Sequence, residues 1–159
     1  MIAASRLIYL VLLLAIAGGI AAAFPGGATW WWVVTAAVVV IALVDVFLVL
    51  VQKVPQLQRQ LPGSVSLATW TEVHLLLTNT NVSKRLRVQL FDYHPASFQT
   101  KDLPLDVTLE PNHEMEMHYR VRPTERGVQT FAGCDLRIAS PLGLWWRRNH
   151  NPVESVVHV

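Results

Sequence analysis

The stretch that decides the fold reads LIYLVLLLAIAGGIAAAF over residues 7–24, PGGAT over 25–29 and WWWVVTAAVVVIALVDVFLVLV over 30–51. Leu7 to Phe24 carries no charge, and Trp30 to Val51 carries Asp45 alone. At about 1.5 Å rise per residue, each segment approaches or exceeds the roughly 30 Å of a hydrocarbon core. Pro25, Gly26 and Gly27 break the helix between them without adding charge. Residues 1–52 therefore predict a transmembrane helical hairpin, with spans at 7–24 and 30–51.

From Gln52 onward the chain changes character. Charges return, apolar residues alternate with polar ones, and the overall hydrophobic fraction of 52% is supplied mostly by the first third. A net charge of +2 with scattered basic residues excludes a nucleic-acid footprint. Arg120, Arg122, Arg126, Arg147 and Arg148 read as outward-facing strand residues. One cysteine, Cys134, excludes an internal disulfide and suits a reducing compartment.

The flanks set the expected topology. Arg6 precedes the first span, Lys53 and Arg59 follow the second, and the connecting turn has no basic residue, so both ends are expected in the cytoplasm. The chain would then be a multi-pass membrane protein with its soluble part inside. The first segment also matches a secretory signal, with Arg6 as charged start, Leu7 to Ala17 as apolar centre and Ala21-Ala22-Ala23 as cleavage site. Its apolar run exceeds a signal's usual length and a second span follows at once, which favours retention. Trp30, Trp31 and Trp32 suit the headgroup region, where an indole finds both an apolar and a wet side. Asp45 is costly inside a span and is expected to make a polar contact between helices, within one chain or between copies in a homo-oligomer. The competing reading makes it a proton or ion relay, but the other helix offers no second ionisable group.

Period-two alternation predicts strands at Thr71–Asn79, Leu86–Tyr93, Leu105–Leu109 and Glu114–Arg122. Shorter strands are expected at 65–68, 128–131, 135–138, 144–148 and 153–159. Asn79-Thr80-Asn81, Pro111-Asn112 and Ser140-Pro141-Leu142-Gly143 read as turns. The fold class is thus α+β: a transmembrane hairpin, a linker at 53–63, and a small antiparallel β-sandwich of immunoglobulin-like architecture at 64–159.

Three motifs carry a family resemblance. Arg87-Val88-Gln89-Leu90-Phe91-Asp92-Tyr93-His94-Pro95 resembles the "v-x-l-x-D-x-x-P" strand of the bacterial domain of unknown function 58 family. Tyr119 to Gly127 resembles its "Y-x-v-x-P-x-x-R-G" motif, and Ser140-Pro141-Leu142-Gly143-Leu144-Trp145 its "S-P-l-G-L" motif. The resemblance implies a membrane protein often encoded beside a MoxR-type AAA+ ATPase. It also implies a following von Willebrand factor A-like domain, so the sandwich is expected to continue into a C-terminal domain beyond Val159. No D-x-S-x-S motif occurs here, so no metal site transfers.

Chemistry-bearing patterns are missing. Ser140 lies in no G-x-S-x-G elbow, and the six histidines show no metal-ligand spacing. No catalytic, cofactor-binding or metal residue is therefore expected. Asn81-Val82-Ser83 matches a glycosylation sequon and reads as a chance match. Asp92, Pro95, Arg126, Gly127, Ser140, Pro141, Gly143 and Trp145 read as structural or docking residues. Asp92 is expected to accept backbone N–H groups, and Arg126 to reach carbonyls or Asp92. The expected function is a non-enzymatic module, anchored in the bilayer, that positions a protein partner such as a MoxR-type ATPase. The alternative is a membrane-embedded enzyme or transport subunit using Asp45.

Overall fold

Inward-facing residues at every second position build most of the strands. The computed structural model describes residues 1–81 and 83–159, so the sequon's Val82 lies outside the described residues. In chain order the elements are β1 (Ile2–Ala3), α1 (Ser5–Ala21), α2 (Gly27–Val51), β2 (Gln56–Gln60), β3 (Thr71–Thr78) and β4 (Leu86–Tyr93). There follow β5 (Phe98–Lys101), β6 (Leu105–Leu109), β7 (Glu114–Pro123), β8 (Val128–Phe131), β9 (Gly133–Ala139), β10 (Trp145–Asn151) and β11 (Ser155–His158). The chain divides into two units: Met1–Gln52 with Ala139–Arg147, and Lys53–Ile138 with Arg148–Val159.

The first unit holds both helices. Among the described residues one helix, Gly27–Val51, is long and apolar enough to cross a membrane, with a mean hydropathy of 3.0 over its best window. The first apolar stretch is helical over Ser5–Ala21, 17 residues, and stops short of the expected Phe24. Gly26 takes a left-handed φ of 77°, which a glycine adopts without strain, and α2 starts at the next residue. The helices touch where Trp31 Nε1 donates to the Leu14 carbonyl at 3.1 Å. Gly18 makes room for that indole, since a Cβ there would lie 2.6 Å from Trp31 Nε1. In the same unit β1 pairs antiparallel with the opening of β10, Ile2 opposite Trp146 and Ala3 opposite Trp145.

The second unit is built of antiparallel pairs, in a sandwich-like arrangement. One sheet runs β2-β3-β7-β5. Facing it across the core, β4 lies between β6 and β9, and β8 pairs with β11. Val73, Leu75 and Leu77 of β3 and Tyr119 and Val121 of β7 are fully buried against Val88 and Leu90 of β4 and Leu136 and Ile138 of β9. Each such side chain contributes roughly 1.5–3 kcal/mol by leaving water.

Three expectations need correction. The 53–63 linker contains β2, which pairs with β3 from Gln56 opposite Thr78 to Gln60 opposite His74. Its alternation was hidden because Leu57 is the only apolar residue in it. The expected strand at 65–68 does not form: the Val65 N–H bonds the His158 carbonyl and the chain then turns, with Ala68 at φ 60° and the Thr69 N–H on the Ser66 carbonyl. Residues 139–147 belong with the helices and not with the sandwich.

Candidate functional site

Three buried carboxylates organise the polar chemistry, Asp45 in the first unit and Asp92 and Asp135 in the second. Asp92 continues the inward series Leu86, Val88, Leu90 at the end of β4, so the strand's pleat carries it into the core. Arg59, from β2 in the opposite sheet, meets it there, and both side chains are fully buried. Arg59 Nε donates to Asp92 Oδ2 at 3.1 Å, and a second, shorter bond joins Arg59 Nη2 to Asp92 Oδ1. The remaining guanidinium donors reach the Val153 carbonyl at 2.7 Å, the Gly133 carbonyl at 3.2 Å and Cys134 Sγ at 3.1 Å. Tyr119 Oη donates to Asp92 Oδ2 at 2.5 Å, and Cys134 Sγ to Oδ1 at 3.2 Å. Phe131 lies under the guanidinium at 5.2 Å.

Burial and charge set the protonation of this group. Burial would lower Arg59, but Asp92 and Cys134 outweigh it and hold the guanidinium above its ordinary range. Burial first, then Asp92, raises Tyr119 and pushes the Cys134 thiol up to about 12. A thiol held protonated is a poor nucleophile. What the arrangement does is tie the two sheets through one satisfied ion pair.

Asp45 is the corresponding residue of the first unit, 1% exposed on α2. Among the described residues it makes no hydrogen bond to α1 or to a basic side chain. Instead Ser140 Oγ donates to its Oδ2 at 2.5 Å and the Leu142 N–H to its Oδ1 at 2.9 Å. Ser140 Oγ in turn accepts the N–H groups of Leu144 and Trp145, each at 3.0 Å. The Gly143 N–H closes the turn on the Ser140 carbonyl at 2.9 Å, and Gly143 takes a φ of 70°. Within one chain, the polar contact expected of Asp45 is thus made to a turn and not to the other helix. Arg147 adds a second tie, donating to the carbonyls of Val49, Leu50 and Gln52 at the end of α2, where unpaired carbonyls favour a cation.

A third cluster, in the second unit, surrounds the buried Asp135 with side chains that are themselves partly exposed. Asp135 accepts from Tyr93 Oη at 2.8 Å, Arg148 Nε at 2.5 Å and His150 Nδ1 at 2.9 Å. Burial would raise Asp135, but the bonds from His150, Tyr93 and Arg148 outweigh it and hold it below the usual carboxylate range. No group of three or more His, Cys, Asp or Glu that could hold a metal occurs among the described residues.

The other expected residues are placed plainly. Pro95 sits in the turn before β5 and accepts the Phe98 N–H at 3.0 Å. Gly127, at φ 133°, exchanges backbone bonds with Val159. Arg126 is exposed and makes no side-chain bond to the described residues, so it is not the partner of Asp92. Arg59 takes that role. The sequence contained a signal for it: Asp92 shares the parity of Leu86, Val88 and Leu90, so an inward carboxylate needed a buried cation.

No protein-family model matches the chain, and no curated protein does. Among solved structures the chain is similar to a FixG-related protein from Vibrio parahaemolyticus, with a TM-score of 0.44 and 8% identity. That match covers 67% of this chain and 96% of the other. A second similarity is to WR4, a C. elegans member of the MSP family, with a TM-score of 0.42 and 9% identity over 68% of this chain and 99% of the other.

Proposed function

We propose that this chain is a membrane-anchored, non-enzymatic β-sandwich module that positions a protein partner. The observation that carries the reading is the surface of α2. Only 11% of its most apolar window is buried inside the structure, and outward residues such as Trp30, Val40, Leu43 and Phe47 are each at least half exposed. A core helix of a soluble protein would be mostly covered; a bilayer supplies the cover this one lacks.

Contacts within the first unit support retention of α1 over its removal as a secretory leader. Ala4 is buried and donates to the Leu144 carbonyl at 2.9 Å, β1 pairs with Trp145 and Trp146, and Gly18 accommodates Trp31. Residues before α1 and Arg147 at the end of α2 thus share one segment, which supports a hairpin with both ends on one side. The distribution of Arg6 and Lys53 against the uncharged turn supports the cytoplasm as that side. Both oxygens of Asp45 already accept hydrogen bonds, which favours a positional role over ion passage.

The partner proposal rests on the three motifs that resemble the domain of unknown function 58 family, and it names a MoxR-type AAA+ ATPase or a component that such an ATPase remodels. Fusions test the topology. A reporter fluorescing only in the cytoplasm, joined after Val159, should give signal, while alkaline phosphatase inserted at Gly27 should be active in the periplasm. The opposite pattern overturns the topology. Recovery of the chain in the soluble fraction after alkaline carbonate washing overturns the anchor itself.

A further inference from the structure

We propose that the Ser140–Leu144 turn is a lipid-contacting element whose Pro141–Leu142 tip lies within the bilayer surface at the level of Asp45. This rests on the reading of α2 as a membrane span. Asp45 precedes the helix end at Val51 by about 9 Å along the axis, and Trp30 to Val51 extends about 32 Å. A hydrocarbon core roughly 30 Å thick that begins at the tryptophans therefore reaches the last turn of α2, past Asp45. The Leu142 N–H is bonded to Asp45, so the tip stands beside the helix at that depth.

Side chains on either side of this level agree. Leu43 and Val44 before Asp45, and Phe47 and Leu50 after it, are apolar and at least half exposed. Leu142, whose N–H bonds Asp45 between them, is itself 50% exposed. Lipid that covers Phe47 and Leu50 covers Leu142 as well.

Irregular backbone is tolerated at such depth only when its polar groups are satisfied. In this turn every N–H is satisfied. Pro141 has no N–H; the N–H groups of Leu142, Gly143, Leu144 and Trp145 go to Asp45, the Ser140 carbonyl and Ser140 Oγ. The Leu142 carbonyl accepts from Arg6 Nη1 at 3.4 Å. Arg6 is exposed beside the tip, where its guanidinium complements anionic headgroup phosphates. Ser140 and Asp45 thus let a polar turn enter the bilayer surface with only the Pro141 and Leu142 side chains outward.

The test uses the full chain in phosphatidylcholine–phosphatidylglycerol vesicles, labelled with an environment-sensitive fluorophore at Leu142→Cys or at Val40→Cys. The parent, whose Cys134 is fully buried, serves as the labelling blank, and the fluorophore on free cysteine as the aqueous reference. At position 142 a blue-shifted emission, quenched more by spin labels high on the lipid acyl chain than by deep ones, is expected. Water-like emission at 142 with a quenched Val40 probe overturns the proposal and leaves the span standing. Blue-shifted but unquenched emission at 142 overturns it too, by placing protein over the tip. An unquenched Val40 probe overturns the span and the proposal together.

Discussion

Asp92 is buried where Leu86, Val88 and Leu90 are buried, and a carboxylate is tolerated there because Arg59, Tyr119 and Cys134 leave it no unmet demand. Asp92→Ala leaves the buried Arg59 guanidinium without its counter-charge. It should cost about 3–5 kcal/mol, read as a lower urea midpoint for the full chain in detergent. Replacing both partners, Arg59→Met with Asp92→Leu, should recover much of that loss. By contrast Arg126→Ala should change the midpoint by less than about 0.5 kcal/mol, because its side chain is exposed. The pH response follows from the same environments. Cys134 moves from an ordinary 9.0 up to about 12, so its contribution is present below 9.0 and lost as pH rises through 12. Alkylation of Cys134 in the folded chain should stay negligible at pH values where a free thiol reacts. Asp135 is depressed below 3.8, so its contribution is present above that value and lost as pH falls through the folded pKa. His150→Ala removes one donor and should move the acid transition to higher pH, as followed by fluorescence.

At the scale of elements, the Ser140 turn and α2 depend on each other. Ser140→Ala takes a donor from Asp45 and an acceptor from the Leu144 and Trp145 N–H groups. The expected loss is about 1–3 kcal/mol, with faster proteolysis between Ala139 and Arg147 as its signature. Helix contact in the first unit hinges on Gly18. A valine there would collide with the Trp31 ring and break its bond to the Leu14 carbonyl. Cysteines placed across α1 and α2 in a Gly18→Val chain should therefore cross-link less efficiently than in the parent.

For the whole molecule, the pairing of β1 with β10 carries the prediction that α1 is kept. Mass spectrometry of the chain taken from membranes should find residues 2–23 present; a protein beginning after Ala23 would overturn retention. The alternating segments Thr71–Thr78, Leu86–Tyr93, Leu105–Leu109 and Glu114–Pro123 were legible in the sequence because a pleat is a local, period-two pattern. The apolar character of α2 was legible for a similar reason, since length and the absence of charge need no partner to be read. β2 was not, because five residues with one apolar side chain carry no pattern until β3 pairs with them. Neither candidate site could be completed locally. Ser140 meets Asp45 across 95 residues and Arg59 meets Asp92 across 33, and nothing near either carboxylate in sequence names its donor. The sequence by itself determined which residues face inward and which segments are apolar. Only the tertiary structure decided the partner of each buried charge, because that choice depends on which donors the packed strands and helices bring within hydrogen-bond distance.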